Sequence, residues 1–98
     1  MISIKKYKQG HDLLIGACDE ELVGKKFEEG KYQIDVRADF YDGEKITAEL
    51  LKKFLKDATI ANLVGKKTVQ CAIDLGLIDP SCVIKIKGIP HAQMVRMI

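Results

Sequence analysis

The chain has no tryptophan, and three Phe and three Tyr are its whole aromatic content. That scarcity limits the base-stacking platforms on which many single-strand binders rely. Cysteine is sparse and odd in number: Cys18, Cys71 and Cys82 stand without a Cys-x-x-Cys spacing, which fits neither a disulfide framework nor a zinc ribbon. Reduced, largely buried thiols are expected. Both prolines, Pro80 and Pro90, fall in the last fifth, so no Pro-rich linker divides the chain. No apolar run approaches the roughly 20 residues of a membrane span, and the opening Met1-Ile2-Ser3-Ile4-Lys5-Lys6 lacks the basic-then-apolar order of a secretory signal. A cytoplasmic protein with no membrane partner is expected.

What is present suits one folded unit. Ninety-eight residues, 47% hydrophobic and 31% charged, suffice for a single core without staples and are too few for two. Residues 1–98 are therefore read as one domain. The net charge of +2 conceals a segregation along the chain. Met1 to His11 carries lysines and no acid, Asp12 to Glu49 is strongly acidic, and Leu50 to Ile98 is basic again. If these poles separate in space, the basic one suits an anionic partner, against the plainer reading of solvated lysines.

Periodicity sketches the elements. Ile2 to Lys8 and Asp12 to Cys18, joined through Gln9-Gly10, read as a hairpin. Asp19 to Val23 reads as one helical turn capped by Asp19 and closed by Gly24. Lys31 to Arg37 alternates, which puts Tyr32, Ile34 and Val36 on one strand face. Ala38 to Glu44 reads as a loop. Thr47 caps an amphipathic helix over Leu50, Leu51, Phe54, Leu55 and Ala58. From Asn62 the apolar pattern Leu63, Val64, Val69, Ala72, Ile73 predicts a second helix stopped by Gly76. Ile84 and Ile86 mark a late strand, and Gly88 to Gln93 is irregular or begins an edge strand, because Pro90 has no amide hydrogen. The expected fold is α+β, with a mostly antiparallel sheet of about four strands packed against two main helices.

Leu22-Val23-Gly24-Lys25-Lys26 recurs letter for letter at Leu63-Val64-Gly65-Lys66-Lys67. Gly punctuates helices and paired lysines attract phosphate, so the string is either a structural stop or an anion contact. The first copy fits a stop. In the second, Asn62 could cap a helix whose first turn sets Lys66 and Lys67 near free amides. Gly65-Lys66-Lys67-Thr68 is not a P-loop: Ile60 stands where the motif needs Gly, and the residues before Gly65 read as helical. His11, His91 and the cysteines match no zinc spacing, and Asp19-Glu20-Glu21 lacks the alternating acids of a calcium loop. No metal or cofactor is expected. A Cys–His nucleophilic pair through His91 stays open, since such partners meet in space.

Cys18 to Lys25, Ala58 to Gly65, Gly76 to Pro80 and Gly88-Ile89-Pro90-His91-Ala92-Gln93 together resemble the archaeal domain-of-unknown-function family 424 over nearly the whole chain. The resemblance implies a small archaeal cytosolic protein with no established activity, and carries over no catalytic residue.

The residues themselves point first to a non-catalytic module for RNA or a ribonucleoprotein, with a possible role in translation. Its contacts would be Lys25, Lys26, Lys66, Lys67, Lys85, Lys87 and Arg96, with His91 and Gln93 adding specificity. The alternatives are a protein-interaction or homo-oligomeric module using Met94 to Ile98, and a small enzyme built on His91 with a nearby Cys or carboxylate.

Overall fold

The structure, a computed structural model, describes residues 1–96. The N-terminal hairpin forms as its pattern predicts: β1 (Ile2–Gln9) and β2 (Asp12–Asp19) pair antiparallel in full register, turned by Gly10 at φ 62°. A single 3₁₀ turn, Glu20–Leu22, leads to a second hairpin of β3 (Lys26–Glu29) and β4 (Tyr32–Asp35). The short α1 (Ala38–Tyr41) and the first residue of β5 (Glu44–Ile46) occupy the stretch expected to be loop. Then come α2 (Ala48–Asp57), β6 (Ile60–Val64), α3 (Lys66–Asp74), a 3₁₀ turn at Pro80–Cys82, β7 (Ile84–Ile86) and β8 (Ile89–Val95).

The class is α+β, but the main sheet is larger than four antiparallel strands. Among the described residues it is six-stranded and mixed, in the order β5-β1-β2-β6-β8-β7, with β3 and β4 forming a separate two-stranded sheet and with three α-helices. The difference lies at β6. Ile60-Ala61-Asn62-Leu63-Val64 reads as the start of a helix because a short apolar run next to a helical pattern carries no period of its own. In the structure it is a central strand, parallel to β2 and antiparallel to β8.

Alternation splits the sheet into two faces. Ile2, Ile4, Ile15, Ala17, Ala61, Leu63, Ala92 and Met94 face α2 and α3, where Leu51, Leu55, Val69 and Ala72 complete the larger core. Helix α2 forms where its amphipathic spacing places it, and the Thr47 hydroxyl accepts from the Leu50 amide at 3.2 Å. On the opposite face Cys18, Val64 and Ile86 pack with Leu22, Ile34, Val36 and Tyr41 from the turn, the small hairpin and α1. Tyr32 does not share this burial; at the outer end of its hairpin it is 62% exposed. No helix among the described residues is long and apolar enough to cross a membrane.

Two glycines allow the α1 segment to lie against the sheet. Phe40 packs on Gly16, where a Cβ would stand 2.6 Å from its ring. A Cβ at Gly43 would overlap the Ile4 carbonyl oxygen, while the Gly43 amide donates to the fully buried Ser3 hydroxyl at 3.0 Å. Gly43→Ala is therefore expected to cost about 1–3 kcal/mol, the usual range for overpacking, read as a lowered urea midpoint. An unchanged midpoint would show that the contact relaxes freely.

Candidate functional site

The C-terminal ends of the two parallel strands lie side by side, Cys18 opposite Val64. This places Asp19 against the start of α3. Its Oδ1 accepts from the Thr68 amide at 2.9 Å and the Thr68 hydroxyl at 2.8 Å, and its Oδ2 accepts from the Lys67 amide at 3.2 Å. A side chain from 48 residues earlier thus does the work of a helix cap. The residue at the cap position itself is Gly65, at φ 108°, and a Cβ there would overlap the Asp19 carboxyl.

This arrangement revises the reading of the repeated Leu-Val-Gly-Lys-Lys string. Gly24, at φ 82°, closes the turn after Leu22, and its amide donates to Val36 at 2.7 Å. Gly65 sits between a strand and a helix, so the strand context that the sequence seemed to deny is present. A P-loop is nonetheless absent, because one residue separates β6 from α3 and Asp19 fills the amides a phosphate would need. Asn62 is a strand residue rather than a cap; its Oδ1 accepts from Gln93 Nε2 at 2.7 Å. Nor does Asp19 cap the turn that follows it, which has no side-chain cap bond.

The predicted contact residues fall into separate places. Lys66 and Lys85 come together: both line a cleft of about 360 Å³ between α3 and the β7–β8 ribbon. Its walls are Val69, Gln70 and Ile73 from the same helix face as Lys66, Pro80 and Val83 from the connection, and Gly88 and Pro90 from the ribbon. None of these residues is acidic. Lys67 is exposed one position into the helix, and Lys87, at φ 54° in the β7–β8 turn, donates its amide to Glu29 at 2.9 Å.

His91 and Gln93 lie on the other side of the sheet, since Ala92 and Met94 between and beyond them face the helices. Arg96 is at the far end of β8, donating to the Lys56 carbonyl at 2.7 Å. Lys25 and Lys26 sit at the small hairpin, where Lys26 pairs with Glu28 at 3.4 Å. The nine residues do not make one surface.

Register keeps Cys18 and His91 apart. Cys18 and His91 both oppose Val64, one on each side, so a fully buried valine stands between them at two strand spacings, roughly 10 Å. Burial pushes the Cys18 thiol up to about 12 and raises that of Cys71, the reverse of what a nucleophile needs. It also lowers the pKa of His91. Cys82 is the exposed thiol. Among the described residues no three His, Cys, Asp or Glu side chains are placed to hold a metal ion.

Pro90 is not on an edge strand. Its carbonyl accepts from the Gly65 amide at 2.9 Å, so its nitrogen also faces the β6 side, at a level where β6 has already ended. The missing hydrogen costs the ladder nothing. Of the cleft residues, only Lys66 and Lys85 stood out in the sequence; Val69, Gln70 and Ile73 were recognisable as one helix face with Lys66 once the helix is begun at Gly65.

Fold and cleft define a small α+β protein with α2 and α3 on one sheet face and a cationic, apolar-walled groove beside α3. An uncharacterized conserved protein from Methanopyrus kandleri has the same fold, with a TM-score of 0.75 at 18% identity, covering 99% of this chain and 95% of its own. The family model described as protein of unknown function (DUF424) matches residues 7–97, and the chain belongs to that family. No curated protein matches the sequence.

The cap supplies a direct test of this geometry. Asp19→Ala leaves two amides and a buried hydroxyl without their acceptor and is expected to cost about 2 kcal/mol. Hydrogen exchange of the Lys67 and Thr68 amides should quicken more than that of α2. Uniform quickening, or none, would show that Asp19 does not hold α3.

Proposed function

We propose that this protein is a non-catalytic binding module for RNA, alone or in a ribonucleoprotein, anchored at the cleft beside α3. One observation carries the reading: Lys66 and Lys85, far apart in sequence, line the same cleft, and no acid lines it with them. Ammonium groups set this way neutralise backbone phosphates and release counterions. Lys67 and Lys87 flank the pair and add to its field, Lys87 less so because Glu29 lies beside it. His91, Gln93, Arg96, Lys25 and Lys26 are outside this anchor; they belong to the contact only if the strand wraps around the sheet edge.

A second reading rests on β8. Its carbonyl at Pro90 and its amide at Arg96 both bond toward β6, so alternation turns the amides and carbonyls of Gln93 and Val95 to the other side, beyond the end of β7. Val95 is 67% exposed and Ile84 47%. A protein partner or second copy could add a strand there. Of the tail segment Met94 to Ile98, Met94 is buried in the core and the last two residues lie outside the described residues. Sedimentation of the free protein across concentrations tests self-pairing: a monomer throughout removes it.

For the RNA reading, the measurement is the salt dependence of binding to a single-stranded RNA. Replacing Lys66 and Lys85 together with Ala should lower the slope of log K against log salt by about 1.4, two phosphate contacts on a single strand. Lys31→Ala, at the hairpin turn, should leave the slope unchanged. Equal slopes for the wild type and the double variant would remove the anchor.

A further inference from the structure

We infer that the cleft receives one unstacked nucleobase, with Lys66 and Lys85 on the phosphates beside it; the inference rests on the RNA reading and goes further by naming the part of the RNA that enters. Two lysines on an open surface would serve any polyanion. Here they border a depression of about 360 Å³, at the small end of ligand pockets, whose remaining walls are mostly uncharged and apolar. Val69 and Pro90 are buried, and Ile73 and Val83 are half-buried. A backbone phosphate or a sugar has no use for such walls. A nucleobase does, because its flat faces gain from apolar side chains when it leaves the stack, aromatic partners not being the sole means.

The polar groups are distributed to match. The cations come from the first residue of α3 and from β7. A helical turn beyond Lys66, Gln70 gives its Nε2 to Asp74 at 2.8 Å. That bond orients the amide and leaves its Oε1 to accept from a base N–H. Lys52, 3.3 Å from Asp74, offsets the charge of that carboxylate. A duplex keeps its bases paired and stacked, so the cleft selects single strands, loops or bulges. With no tryptophan and no aromatic among the lining residues, it takes one base and not a stacked run.

The experiment compares three ligands by fluorescence anisotropy at one low salt concentration: a short single-stranded RNA, the same backbone without bases, and a duplex of the same sequence. The intact strand should bind about tenfold tighter than the abasic one, the effect of withdrawing one base face from water against apolar side chains, and tighter than the duplex. Val83→Phe, which fills the half-buried wall, should bring the intact strand down to the abasic level and leave the abasic strand unchanged; Gln70→Ala is the second variant should Val83→Phe melt early, and it should narrow the same gap. Equal binding of intact and abasic strands, or preference for the duplex, overturns the base site while the lysine anchor stands. No binding of any of the three overturns both.

Discussion

The carboxylate of Asp19 ties together three elements where they meet: the end of β2, the one-residue passage out of β6, and the first turn of α3. Asp19 is 7% exposed, and a buried carboxylate is tolerated only when hydrogen bonds replace the water it has lost. The two amides and the Thr68 hydroxyl do so, and the positive end of the helix dipole adds to them. Because the carboxyl fills the space above Gly65, any side chain there would displace it. The direction of α3 follows, and with it the position of Lys66 relative to the β7–β8 ribbon. The cap and the core packing of α3 together set one wall of the cleft.

The same interaction explains why the repeated string plays two roles. At its first occurrence the glycine turns the chain between a 3₁₀ turn and a strand; at its second it lets a strand pass directly into a helix. Identical letters acquire different backbone partners, Val36 in one case and Pro90 in the other. Their lysines diverge accordingly, one pair at the small hairpin and the other at the start of α3, where Lys66 lines the cleft and Lys67 does not. The basic character of the C-terminal half is likewise divided by the sheet, with His91 and Gln93 on one side and Lys66 and Lys85 on the other.

Elements whose pattern is local were legible in the sequence. The β1–β2 hairpin, α2 with its Thr47 cap, and Ile84 to Ile86 each carry their own period and their own stop. Strand β6 was not, since Ile60-Ala61-Asn62-Leu63-Val64 is apolar at four of its five positions, shows no alternation of its own and runs on from the helical pattern before it. Missing β6 hides the parallel pairing with β2, the passage at Gly65 and the internal position of β8. Of the candidate site, the cationic residues were visible by type. Which of them meet depends on β-register and on a side-chain bond spanning 48 residues, neither of which leaves a mark in composition.

The parallel pairing of β2 with β6 also separates the sheet's local contacts from its distant ones. The N-terminal hairpin contains only neighbours in sequence and can close as soon as Asp19 has been made. Its inner edge then waits for Ile60 to Val64, across an intervening stretch that must fold its own hairpin and helix. Loop-closure entropy makes that joining the costlier of the two pairings. Until it happens, Ile15 and Ala17, both fully buried in the finished protein, belong to a strand with one unpaired side. The hairpin by itself is therefore a half-sheet, open along the strand that lies at the centre of the molecule.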